Sequence, residues 1–277
     1  MNLLEKTFTL SDGKVIPVIG LGTWQVPNEV AYQSVKEALE VGYTHIDTAQ
    51  FYQNEEGVGK AIKDSGIARE NLFVTSKIAS PIKNYKDAKE SIEESLRKLD
   101  MPYIDLMLIH WPRPIVNGKM DDSHNYNEEN VEVYRAMEEA YKEGKLKSIG
   151  VSNFSVDDLK NILENCEVKP VVNQIELHIG HLLTDTLEFC KENDIAIEAY
   201  SPIATGKLII HEGVKKIAER LNVSVPELSL AYALTKCAVV LPKTVHQKYM
   251  IANTQVNVEM TDELVAELEA LGPISRK

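Results

Sequence analysis

Eight short apolar, β-prone runs recur along this chain of 277 residues, separated by stretches long enough to make helices. The runs are Val18 to Gly22, Thr44 to Asp47, Leu72 to Lys77, Ile104 to His110, Ser148 to Ser152, Val171 to Ile175, Ile195 to Tyr200 and Val239 to Leu241. Between them apolar residues fall three and four apart, as a helix with one buried face requires. Examples are Asp87 to Leu99, Asn130 to Glu143, Val156 to Leu163, Thr184 to Glu192 and Pro226 to Leu234. Eight alternations with connections too short for a second domain favour a closed parallel barrel over an open doubly wound sheet. Residues 1–277 are expected to form one such domain. Ahead of the first run, Thr7 to Leu10 and Val15 to Val18 flank Asp12-Gly13, a hairpin signal. That hairpin would close the bottom of the barrel.

Reactive side chains of a parallel barrel gather where its strands end, because the loops there line one mouth. The stretch VGYTHIDTAQFYQNEEGVG, Val41 to Gly59, puts Asp47 at a strand end, Tyr52 five residues on, and a helical pattern from about Asn54. In isolation a turn cap at Asp47 and a packing role for Tyr52 explain these positions equally well. The neighbouring ends add Thr23 and Trp24, Lys77, and His110 and Trp111. Lys77 closes the largely uncharged run LFVTSK, so its ammonium needs a partner at the mouth, and Asp47 is the obvious one. A lysine beside a phenol favours phenolate, so Tyr52 is expected to titrate below its ordinary value of ~10, toward the range of a general acid. A lone histidine at a strand end is usually structural, but in this company His110 is suited to orient a carbonyl oxygen.

Later strands end in neutral hydrogen-bonding and aromatic groups: Val151 to Phe154, Asn173 and Gln174, and Tyr200-Ser201-Pro202. These suit a flat carboxamide-bearing ring. The last run ends in Leu241-Pro242-Lys243-Thr244 before a helical segment, where a lysine, a hydroxyl and helix-start amides can grip phosphate. One half of the mouth does chemistry and the other holds a cofactor.

Composition narrows the partners. The formal charge of −12, with no long Lys or Arg run, argues against nucleic acid and anionic membrane as partners. The N-terminus has neither the basic start nor the long apolar stretch of a secretion signal or anchor, so a cytoplasmic location is expected. Cys166, Cys190 and Cys237 are widely spaced and read as free thiols. His178 and His181, with Gly180 between them, do not have the spacing of a helical ligand pair, so no metal is expected. Gly20-Leu21-Gly22 lacks the third glycine of a dinucleotide fingerprint.

Taken together, GLGTW, GYTHIDTAQFYQNEEGVG, LFVTSKI, DLMLIHWP, GVSNF, NQIELH, AYSPI and LPKT, in this order and spacing, make the chain resemble the aldo-keto reductases over essentially its whole length. The resemblance implies a (β/α)8 TIM barrel and a nicotinamide cofactor lying extended across the mouth without a Rossmann fold. It also implies direct hydride transfer to an aldehyde or ketone, the small-molecule carbonyl substrate. Tyr52, as general acid, with Lys77, Asp47 and His110 would be the catalytic set. Ser152, Asn153 and Gln174 would bind the nicotinamide amide, Tyr200 would stack on its ring and Ser201 would reach the pyrophosphate. Further cofactor contacts are implied at Thr23, Trp24, Asp47, Pro202, Ile203, Lys243, Thr244, Val245, Tyr249 and Asn253. Trp24, Phe51, His110 and Trp111 would line the substrate pocket.

Three departures bear on these expectations. Tyr249, beside Lys248, stands where the family commonly has an arginine for the adenosine end, and Ala252 replaces a frequent glutamate. The long C-terminal loop of larger members is missing, so a more open pocket is expected, its loops being Pro112 to Asn127 and Ile203 to Glu212. NADPH is expected to be preferred, with NADH possible, and the protein to act as a monomer. The rival is a cofactor-bound regulatory subunit without much turnover.

Overall fold

The computed structural model describes residues 1–276. The chain opens with β1 (Thr7–Thr9) and β2 (Val15–Pro17), paired antiparallel with Phe8 opposite Ile16. Gly13, at φ +81°, closes the turn by donating its N–H to Leu10 O at 2.9 Å, a conformation that suits a residue without Cβ.

Four strands follow with helices between them: β3 (Leu21–Gly22), β4 (His45–Asp47), β5 (Phe73–Ile78) and β6 (Ile104–Ile109). A small antiparallel excursion, β7 (Ile115–Val116) and β8 (Lys119–Met120), leads on to β9 (Leu146–Ser152), β10 (Val172–Glu176), β11 (Ala196–Tyr200) and β12 (Val239–Leu241). Apart from β7 and β8, each of these strands pairs in parallel with the next. A parallel bridge between Ile19 and Val240 closes the ring, with Gly20 N–H on Val240 O at 3.0 Å and Val240 N–H on Val18 O at 2.9 Å. The expected eight-stranded barrel is what forms.

The helices flank this ring: α1 (Asn28–Val41), α2 (Glu55–Ser65), α3 (Tyr85–Leu99), α4 (Asn127–Lys142), α5 (Val156–Asn165) and α6 (Thr184–Glu192). α7 (Lys207–Ile210), α8 (Glu212–Arg220) and α9 (Val225–Leu234) lie between β11 and β12, and α10 (Gln247–Asn253) and α11 (Asp262–Glu269) follow. Local chemistry sets their ends. Ser155 and Asp158 form a reciprocal capping box on α5, and Gly42 at φ +109° ends α1 so that the chain turns directly into β4. α2 is held close to its neighbours at Gly59, where a Cβ would stand 2.2 Å from Leu99 O.

Besides a cluster among α7, α8, α9 and α11, apolar side chains fill two zones in the barrel itself. One lies between strands and helices, and the other inside the lower barrel, where Phe73, Leu106, Leu108 and Val172 meet Leu10 and Ile16 of the hairpin. Asp12 accepts a hydrogen bond from Ser148 Oγ at 2.6 Å, so the hairpin does seal the end opposite the strand C-termini. The β7–β8 turn at Asn117-Gly118, both with positive φ, was legible as an Asn-Gly hairpin signal but was expected to be loop. Among the described residues no helix is long and apolar enough to cross a membrane.

Candidate active site

β4 and β5 place two opposite charges side by side. Asp47 lies opposite Thr75 in the register, and Lys77, two residues on, shares the inward face with Thr75. The Lys77 ammonium donates to Asp47 Oδ1 at 2.7 Å, to Oδ2 at 2.8 Å and to Thr48 O at 2.9 Å, satisfying all three of its donors. The Lys77 side chain is fully buried and that of Asp47 nearly so. Thr23 donates both its hydroxyl and its N–H to Asp47 O, each at 3.0 Å. It thereby fixes the end of β4.

Tyr52 sits on a 3-10 turn, Gln50–Tyr52, pinned from both sides. Buried Asn54 accepts from Thr48 Oγ1 at 2.7 Å and donates to Thr23 O and Val26 O, both at 2.9 Å. Gln50 donates to Ser91 O and Ser95 Oγ on α3 and accepts from Ala79 N–H. The turn brings the Tyr52 ring to 5.1 Å from Lys77 Nζ and, edge to face, to 5.6 Å from the His110 ring. The four expected residues therefore meet in one place.

Their electrostatics correct one expectation. Desolvation, and then the negative charge of Asp47, hold the Tyr52 hydroxyl well above its ordinary range, with the cation of Arg276 pulling the other way. Lys77 does not produce the expected net lowering because its charge is matched at contact distance by Asp47. The result is a neutral phenol with a proton to give. Desolvation, followed by the nearby Lys77 charge, holds His110 well below its ordinary value, so the imidazole is neutral.

The later strand ends form a chain of neutral contacts. Ser152 Oγ donates to Gln174 O at 2.8 Å, Asn153 Nδ2 donates to His110 O at 3.0 Å, and Tyr200 OH donates to Asn153 Oδ1 at 2.7 Å. Gln174 Nε2 donates to Asp47 Oδ1 at 2.8 Å, joining this half of the mouth to the charged half. Amide and hydroxyl groups beside a tyrosine ring match the donors, acceptors and flat face of a nicotinamide carboxamide. The loop after β11 turns through positive φ at Ser201, Ala204 and Thr205, with Pro202 buried between them. At the end of β12, Lys243 is exposed, Thr244 and Val245 are partly exposed, and Asn253 is buried. Tyr249 is exposed, and Lys248 Nζ folds to 4.8 Å from its ring, so both share one side of the short α10 although their Cβ directions diverge.

Of the expected pocket wall, Trp24 and Trp111 are half-buried, and the exposed Phe51 ring lies 6.4 Å from that of His110. Lys83 anchors the Trp111 backbone by donating to its carbonyl at 2.9 Å. Two residues at the site were not anticipated. Arg276 reaches back over the mouth, with its guanidinium 5.6 Å from the Trp24 ring and 5.2 Å from the Tyr200 ring, paired to Glu176 Oε2 at 2.8 Å. A ring stacked on Tyr200 would share space with it. Below the mouth, Glu198 is wholly buried and accepts from Gln174 Nε2 at 2.9 Å.

Comparison with known proteins agrees with this geometry. Residues 18–273 match the model of the Aldo/keto reductase family. A glyoxal reductase of Bacillus subtilis is 39% identical over 275 residues, spanning 99% of this chain and 95% of the relative. The methylglyoxal reductase DkgA of Escherichia coli is 37% identical over 249 residues, spanning 89% and 86% of the two chains. Among solved structures, an aldo-keto reductase from a deep-sea metagenome library superposes with a TM-score of 0.87 at 36% identity, covering 96% of this chain and 95% of that one. An aldo-keto reductase complexed with NADPH gives 0.86 at 30% identity, covering 97% and 88%. A closed parallel barrel with a buried Asp–Lys pair, a tyrosine and a histidine at its mouth thus sits in a sequence matched along nearly its whole length, and the chain belongs to the aldo/keto reductase family.

Proposed function

We propose that this oxidoreductase reduces aldehydes or ketones to alcohols with NADPH, and that Tyr52 is the proton donor. The observation that carries the reading is the neutral Tyr52 phenol set between the Asp47-held Lys77 ammonium, 5.1 Å from its ring, and the neutral His110 imidazole. When bound, the reduced nicotinamide would supply the hydride that reaches the carbonyl carbon. Tyr52 gives its proton to the carbonyl oxygen as charge develops there, and the resulting phenolate regains a proton from water at the mouth. The Lys77 ammonium, 5.1 Å from the ring, offsets the Asp47 charge that would otherwise disfavour that phenolate. His110 offers a ring N–H to the same oxygen and orients it. Ser152, Asn153 and Gln174 hold the carboxamide, and Trp24, Phe51 and Trp111 form an apolar wall around the reacting group.

Lys243 and Thr244 support a preference for NADPH, since a 2′-phosphate adds a charge that a lysine and a hydroxyl can meet. Tyr249 can stack on adenine but cannot pair a charge, so the preference is moderate. The names of the relatives make glyoxal and methylglyoxal the first substrates to try. Consumption of NADPH absorbance with these aldehydes tests the reading against the alternative of a cofactor-bound regulatory subunit. No turnover with any small aldehyde or ketone, despite cofactor binding, would favour the alternative.

A further inference from the structure

Glu198 lies in the middle of β11, directly opposite Gln174 of β10 in the strand register, with its side chain inside the barrel and no exposed surface. The Gln174 amide nitrogen has two hydrogens, and both are committed: one to Asp47 Oδ1 at 2.8 Å, the other to Glu198 Oε2 at 2.9 Å. Of the side-chain amide, only the oxygen Oε1 remains available to a ligand. With Asp47 as sole partner, the amide would be free to swing its second N–H toward the mouth.

The surroundings of Glu198 fit an acceptor that carries no charge. Asp47 and Lys77 face it from β4 and β5, His45 Nε2 lies 3.9 Å from Oε1, and Cys237 approaches from the segment before β12. Burial, and then the charge of Asp47, push Glu198 up to about 8, while burial pushes His45 down to about 3. Oε1 has no hydrogen-bond partner, which leaves it as the place for the proton and Oε2 as the acceptor.

We propose that Glu198 is a positioning residue for the nicotinamide carboxamide, fixing the Gln174 amide so that the cofactor must donate its carboxamide NH2 to the Gln174 carbonyl oxygen. The inference rests on the nicotinamide reading above, and it adds a rule about which carboxamide-like groups the site accepts. A 3-acetylpyridine ring has a carbonyl but no NH2, so wild type discriminates against it. A site whose Gln174 can rotate does not, because a freed N–H can meet the acetyl oxygen.

The test measures dissociation constants of NADPH and of its reduced 3-acetylpyridine analogue by fluorescence titration at pH 7. Wild type is expected to bind the analogue ~3–10-fold more weakly, the factor of one neutral hydrogen bond. Glu198→Gln, a neutral acceptor of the same shape, keeps that ratio, and Glu198→Leu brings it toward one while weakening NADPH itself. Equal binding of both cofactors by wild type overturns the proposal, and this arm does not depend on the Leu variant folding. A ratio unchanged in Glu198→Leu also overturns it. Failure of wild type to bind NADPH at all would instead remove the nicotinamide reading, and this inference with it.

Discussion

Replacing Lys77 by Met offers the most direct test of the buried pair at the mouth. The substitution removes three hydrogen bonds at 2.7 to 2.9 Å and leaves the Asp47 carboxylate buried with the Gln174 amide but no opposite charge in contact. Breaking one side of a buried ion pair costs ~3–5 kcal/mol, because the remaining charge stays desolvated. For a chain of this size that is on the order of 10 °C in melting temperature. Asp47→Asn, which strands the ammonium instead, should cost a similar amount. The double variant Lys77→Met/Asp47→Asn leaves no unpaired charge, and should be ~1–3 kcal/mol more stable than the sum of the two single losses. Guanidinium unfolding of wild type and the three variants at neutral pH gives the cycle, provided the slopes agree. Carbonyl reduction should be lost in all three, so the double variant separates the two properties: stability partly returns and activity does not. Additive losses within ~0.5 kcal/mol, or a Lys77→Met protein as stable as wild type, would refute the argument that the pair is coupled through burial.

Other outcomes follow from the same site. Tyr52→Phe should keep NADPH affinity while carbonyl reduction falls by at least ~100-fold; near-normal reduction would remove Tyr52 as the acid. Trp111→Ala should reorder carbonyl substrates, seen in kcat/KM across an aldehyde and ketone panel, more than it changes cofactor affinity. Lys243→Ala should weaken NADPH far more than NADH, and equal losses in the two dissociation constants would show that Lys243 does not read the phosphate. Glu198 holds its proton up to about 8 in the folded chain, whereas an unfolded glutamate loses it near ~4.3. Between those values the folded state binds more protons, so this group's contribution to stability falls as pH rises. Glu198→Gln should flatten that part of the stability profile, measured by denaturant midpoints from pH 5 to 8.

Much of the architecture was legible because its signals are local. A period of two puts Thr75 and Lys77 on one face, and the apolar run up to Lys77 announced a charge that needed a partner. The mouth itself was readable from the rule that loops after parallel strands converge. What failed to show depends on distance in sequence. The direction of the Tyr52 shift is a sum over desolvation, Asp47 and Arg276, and no stretch of sequence contains that sum. Glu198 was visible as the one charged residue in IAIEAY, yet its meaning lies in Gln174 and, through it, in Asp47, which is 127 residues from Gln174. Arg276 gave no signal, since nothing near it marks a segment that returns to the strand ends. The β7–β8 hairpin is different: its Asn-Gly turn was present and was overlooked within a stretch read as pocket loop.

The hairpin beneath the barrel has a consequence for how the molecule assembles. Its Asp12 is tied to Ser148, 136 residues away, and just ahead of it Leu3 N–H bonds Thr254 O while the terminal amine bonds Val256 O across 255 residues. Made well over a hundred residues before their partners, these residues are therefore among the last to find their native neighbours. Until β12 has been made, Leu10 and Ile16 have no closed barrel interior to enter and the lower rim stays open to solvent. Contacts this distant slow folding, since loop entropy is lost before the contacts return anything. The incomplete barrel, with apolar side chains and unpaired strand edges showing, is the species of this protein most exposed to aggregation during synthesis.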